Sequence, residues 1–162
     1  MKKRFVFAFF LTALAATGLH YAYDFCPQPL IGLFSPVNES VWEHMKLLFW
    51  PFLAAAFILG RKESDQPKYW SGMLTALLAM PVFLLGVYYI LLAGFSAEAL
   101  WIDLALYYLT LAEGFWVGYR LQKSGRLAYL AGVLVILAGL YGAALILFTV
   151  APPELPIFAA PL

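Results

Sequence analysis

The chain has 162 residues, 64% of them hydrophobic and 12% charged, with a mean hydropathy of +0.85. A soluble domain carries about a quarter charged residues and roughly half apolar ones, so the composition excludes that class and points to a polytopic membrane protein. A net charge of +1 leaves no basic patch for nucleic acid, and the lone Cys26 excludes an internal disulfide and a cysteine-based zinc cluster.

Five apolar segments follow one another, at 5–23, 41–60, 69–93, 97–119 and 127–149. Each approaches or exceeds the ~20 residues that cross a ~30 Å hydrocarbon core. Lipid offers backbone amides no partners, so the expectation is an all-α membrane domain of five helices occupying the whole chain.

The first segment follows Lys2, Lys3 and Arg4 and contains small residues near Ala13 and Ala16, as a signal peptide would. Its apolar run continues through Tyr23, long enough to be an uncleaved span. Tyr23, Asp24 and Phe25 before Cys26 lack the small residues that lipoprotein processing needs.

Between the first and second segments lies the only concentrated chemistry, "FSPVNESVWEHMKLLFWP", from Phe34 to Pro51. Ser40-Val-Trp-Glu43 reads as a capping box, the serine hydroxyl and the glutamate carboxylate each taking an amide at the start of the second helix. At 100° per residue, Glu39, Glu43, Lys46 and Trp50 fall within about 60° of one face, with His44 about 100° round from Glu43. The Asn38-Glu-Ser40 sequon is a common chance match. Pro51, and Pro81 in the third segment, remove a backbone donor mid-span, free the carbonyls of Leu47 and Leu77, and are expected to kink their helices.

Arg61, Lys62 and Lys68 follow the second segment, and Arg120, Lys123 and Arg126 follow the fourth. With the N-terminal cluster they occupy alternate loops, so the positive-inside rule makes that side, and the N-terminus, cytoplasmic and the C-terminus external. Lys46 is the exception, and a plain reading has it snorkel to the outer surface. Tyr69 and Trp70 on the inner side, and Trp42 and Trp101 on the outer, suit interfacial belts. Gly114 with Gly118, and Gly139 with Ala143, are small-residue pairs that let helices approach closely. The tail "APPELPIFAAPL" is proline-broken and expected to be irregular.

Polar groups from several spans share a depth. His20, Tyr88, Tyr89 and Asp103 (the last about five residues below Glu98) fall with Glu43, His44 and Lys46 in a layer roughly 6–9 Å deep at 1.5 Å per residue. An ionisable side chain facing lipid costs about 2.5–3.5 kcal/mol at mid-helix, so such groups are expected to face one another. The expectation is an outward-facing polar pocket lined by His20, Asn38, Glu39, Glu43, His44, Lys46 and Asp103, with Lys46 and Asp103 paired. Glu43 and His44 are its candidate acid and base. His20, His44 and Glu43, with Glu39 or Asp103, form a candidate divalent-metal set, although no HExxH spacing exists. Glu113 is deeper in the fourth span, with Arg120 at i+7 as its candidate partner.

From Leu19 to Pro51 the chain resembles a family of small bacterial and archaeal multi-pass membrane proteins of unknown function that carry a P-x-N-E-S-x-W-E-H-x-K segment. The resemblance implies a membrane fold and singles out Asn38, Glu39, Ser40, Trp42, Glu43, His44 and Lys46, but supplies no reaction. Three function classes stay open: a membrane-embedded enzyme acting on a lipid-like or amphiphilic substrate, a small-solute or ion transporter or channel subunit, and a structural or regulatory accessory subunit. Membrane lipids and a second copy of the chain are the expected partners, with no nucleic acid.

Overall fold

The computed structural model describes residues 3–95 and 99–159. Lys2, Glu98 and the first residues of the fourth predicted segment lie outside them. The helices are α1 (Lys3–His20), α2 (Ala22–Phe25), α3 (Pro29–Gly32), α4 (Val41–Gly60), α5 (Gln66–Phe95), α6 (Leu100–Ser124) and α7 (Ala131–Val150). Short 3-10 turns at Ala128–Leu130 and Pro156–Phe158 flank α7, and no strand occurs among the described residues. Five helices are long and apolar enough to cross a membrane: Lys3–Phe25, in which α2 continues α1 after Tyr21, then α4, α5, α6 and Ala128–Val150.

The helix ends follow local chemistry. Ser40 is extended and its Oγ accepts the Glu43 amide, so α4 begins at Val41. Asp65 Oδ1 accepts the Lys68 amide at the start of α5. The fourth segment runs five residues past its predicted end at 119, because nothing stops the helix until Gly125 takes a left-handed φ of 66°. Arg120 and Lys123 therefore project from the last turns of α6 rather than from a loop.

Half of the apolar window of α4 is buried inside the protein, against 22–28% for the other four, so α4 is the central helix. Around it Phe5, Phe52, Phe115, Met73, Leu77 and Leu111 close an apolar core. The outer surface is also apolar: Phe7, Phe10 and Leu14 of α1, Val82 and Ile90 of α5, and Ile136 and Leu140 of α7 are exposed. Water would penalise so large an apolar exterior, whereas hydrocarbon does not.

Glycine decides where the helices touch. A Cβ on Gly72 of α5 would stand 2.3 Å from the Gln122 amide nitrogen of α6, so two backbones meet there. Gly114 and Gly118 instead receive the side chains of Met80 and Met73, and Gly142 of α7 receives the Phe49 ring. The expected Gly139–Ala143 contact is not formed within the chain, since Gly139 has nothing within 4 Å and Ala143 is exposed. The proline problem in α4 has a specific solution: the Tyr107 hydroxyl of α6 donates at 3.1 Å to the Leu47 carbonyl that Pro51 leaves without its amide. Near the C-terminus, Phe148 and Phe158 both pack on Trp42, with ring centroids 5.4 and 4.9 Å away. The tail expected to be irregular thus docks through its 3-10 turn.

The polar groups separate to the two ends. Arg4 pairs with Glu63 at one end, beside Asp65, Lys68 and Lys123. His20, Glu39, Glu43, His44, Lys46 and Thr149 cluster at the other.

Candidate functional site

At the histidine end the chain between α3 and α4 folds back over the end of α1. Ser35, fully buried, donates through Oγ to the Leu19 carbonyl at 2.6 Å and accepts the Tyr23 amide at 3.1 Å. Asn38 Oδ1 accepts the Ser40 amide at 2.9 Å. The capping box is therefore only half formed: Ser40 caps the helix, but Asn38 takes the amide expected for the Glu43 carboxylate.

That carboxylate is committed elsewhere. Glu43 Oε2 lies 2.6 Å from Lys46 Nζ and accepts the Val37 amide at 2.9 Å. Its Oε1 lies 3.0 Å from the Thr149 hydroxyl of α7, whose proton it shares with the Leu145 carbonyl at 2.8 Å. Lys46 donates also to the carbonyls of Gly32 at 2.7 Å and Ser35 at 3.3 Å. Its three ammonium protons thus meet three acceptors, and its side chain is 0% exposed. The snorkelling reading fails because the loop comes down to the lysine. The expected Lys46–Asp103 pair fails because Glu43, one turn away on the same helix, takes the ammonium; Asp103 stays exposed on α6. Both oxygens of Glu43 are thus engaged in this network, and the residue grouped with the two histidines is Glu39.

The two histidines do meet. His20 Nε2 and His44 Nε2 are 3.1 Å apart, and Glu39 Oε2 lies 3.3 Å from His44 Nε2 and 3.9 Å from His20 Nε2. His44 Nδ1 is 2.9 Å from the Ser40 carbonyl, which can only accept, so the proton of a neutral His44 sits on Nδ1 and the lone pair of Nε2 points at His20. His20 Nδ1 is buried without a partner. His20, Glu39 and His44 form a three-residue group with metal-ligand spacing. Both imidazoles are partly buried, and the Glu39 side chain is 66% exposed.

The outward-facing polar pocket expected from the sequence is not among the cavities described. One of about 230 Å³ opens at the opposite end, and one of about 50 Å³ lies between α5 and α6 beside Glu113. No hydrogen bond or ion pair reaches Glu113 among the described residues, and Arg120 lies over the Trp116 ring instead of meeting it.

The match to a family of unknown function, DUF6512, extends over residues 1–162, well beyond the loop and helix that carry the motif. The chain belongs to the DUF6512 family. No curated protein and no solved structure matches it. Within this DUF6512 member, sequence reading missed Ser35 and Thr149. Ser35 had no helical period to flag it. Thr149 had a signal: in a five-helix topology the end of α7 returns to the level at which α4 begins.

Proposed function

We propose that this protein is a multi-pass membrane protein that binds a divalent transition metal at its outer end, through His20, His44 and Glu39. One observation carries the reading: the two Nε2 atoms converge at 3.1 Å while a backbone carbonyl holds His44 in the tautomer that ligation requires. Two atoms that far apart, each about 2.0–2.1 Å from one ion, subtend about 95–100° at it, within reach of tetrahedral and octahedral sets. An imidazole whose second nitrogen donates to a carbonyl is the usual support of a ligating histidine.

Three protein ligands on an open face leave a position for water or substrate, the arrangement of catalytic rather than structural zinc. The reaction class this supports is metal-assisted hydrolysis: His20, His44 and Glu39 would hold the ion, which would supply an activated water for an amphiphilic substrate at the membrane boundary. The transporter reading is weaker, because the apolar core of Phe52, Phe115 and Leu111 stands between the polar ends. The orientation, histidine end outward, rests on the positive-inside rule.

Metal analysis and Co2+ titration of protein purified without chelator or affinity-tag metal test the reading. We expect about one equivalent, lost in His20→Ala and His44→Ala, weakened about 10–100-fold in Glu39→Gln, and unchanged in folded Glu43→Gln. Binding should weaken on acidification, because ligation needs neutral imidazole. Loss of metal in Glu43→Gln with retention in His44→Ala would refute the assignment.

A further inference from the structure

The basic end carries a feature that the metal site does not use. Between the start of α1, the α4–α5 connection and the last turns of α6 lies the cavity of about 230 Å³. At about 30 Å³ per water it has room for several waters or a small polar group. Its charged lining is unevenly committed. Glu63 is engaged by Arg4, and Asp65 spends an oxygen on the Lys68 amide. Lys68 and Lys123 take part in none of the ion pairs among the described residues. The Lys68 stem lies along Gly125, and Lys123 sits 4.7 Å over the Tyr119 ring.

Gln122 is the second observation. It is 92% buried, as its 8% exposure states, it lines the cavity, and its side-chain amide makes no hydrogen bond among the described residues. Its backbone packs against Gly72 of α5. Arg4 adds an Nε–H that is buried without an acceptor. An unpartnered primary amide on a mostly buried residue, two ammonium groups in no ion pair and a guanidinium with a spare Nε–H together outnumber the two carboxylates, Glu63 and Asp65, of the same lining. Such a set is answered by a multiply charged oxyanion with several acceptors.

We propose that this cavity binds a phosphate group, through Lys68, Gln122 and Lys123, with Arg4 also in its lining. At the end of a helix bundle the phosphate can come from an anionic lipid headgroup or from a soluble phosphate, and the chemistry is common to both. The site is independent of the histidine cluster at the opposite end.

The test is thermal stability and binding of the full chain in nanodiscs of phosphatidylcholine, with and without phosphatidic acid, and separately with inorganic phosphate added. Variants are Gln122→Leu, which keeps the packing and removes the amide, Lys68→Gln/Lys123→Gln, and Lys123→Arg as the conservative control. Stabilisation by phosphatidic acid, about tenfold weaker in Gln122→Leu and in the double variant and kept in Lys123→Arg, establishes a lipid headgroup. The same pattern with inorganic phosphate in plain phosphatidylcholine establishes a soluble source. No stabilisation by either, or equal stabilisation of wild type and all variants, overturns the site. Co2+ titration of each variant reads the far end independently, so the two proposals fail separately.

Discussion

Lys46 illustrates how a charge is held inside an apolar helix bundle. Three acceptors at 2.6–3.3 Å satisfy its three protons, and one of them is the carboxylate of Glu43. Desolvating both ions is costly, and their attraction offsets that cost only because the remaining donors and acceptors are also matched. Removing one partner leaves a lone buried charge. Lys46→Met and Glu43→Gln are each expected to destabilise the detergent-solubilised protein by about 3–5 kcal/mol, and the double variant by less than the sum of the two. Strictly additive losses in thermal unfolding would remove the coupling. The sequence placed Glu43 and Lys46 on one helix face at i,i+3 spacing, yet the expected partner of the lysine was Asp103. Depth alone cannot choose between Glu43 and Asp103 as partner, because 1.5 Å per residue fixes height and says nothing of which way a neighbouring helix is turned.

At the scale of the elements, glycine contacts rank the helix interfaces. Gly72 meets backbone, Gly118 meets the flexible end of Met73 at 2.8 Å, and Gly139 meets nothing. Alanine substitution should therefore destabilise most at Gly72, by more than about 2 kcal/mol, less at Gly118, and not measurably at Gly139. Thermal unfolding of the three variants checks the order, and a Gly139→Ala loss as large as that of Gly72→Ala would contradict it. The second predicted segment coincides with α4, because a serine cap and a charged loop bound it on both sides. The fourth ended early in the reading because basic residues looked like a loop. A helix leaving a membrane continues into water until a residue such as Gly125 ends it. The small-residue pairs were visible, but a spacing of four does not tell which pair faces a helix and which faces lipid.

Over the whole molecule, an apolar exterior separates two polar ends of different character. One collects Arg4, Lys68 and Lys123, and the other collects the histidines and Glu43. If the first faces the cytoplasm, an impermeant maleimide added to intact cells should modify Glu154→Cys and spare Ser64→Cys, both in a Cys26→Ser background. The reverse pattern would invert the orientation and place the histidine cluster inside. The five helices long and apolar enough to span were readable from hydropathy, whereas the orientation expected from charge is what the labelling tests. The convergence of His20 on His44 was readable only as a shared depth, since it depends on Ser35 tying the loop to the end of α1.

The order in which the acceptors of Lys46 occur along the chain bears on biosynthesis. Gly32, Ser35 and Glu43 all precede it, and only Thr149 and the Leu145 carbonyl it also meets are made later. A chain emerging N-terminus first therefore carries everything needed to neutralise and solvate the lysine before α4 enters the bilayer. The expectation is that the loop escorts a charge that insertion would otherwise penalise. In a cell-free translocation assay on chains ending before α5, replacing residues 32–37 with a glycine-serine linker should lower the insertion of α4, and Lys46→Leu should restore it. Equal insertion with and without the native loop would mean that the lysine enters the bilayer unaided.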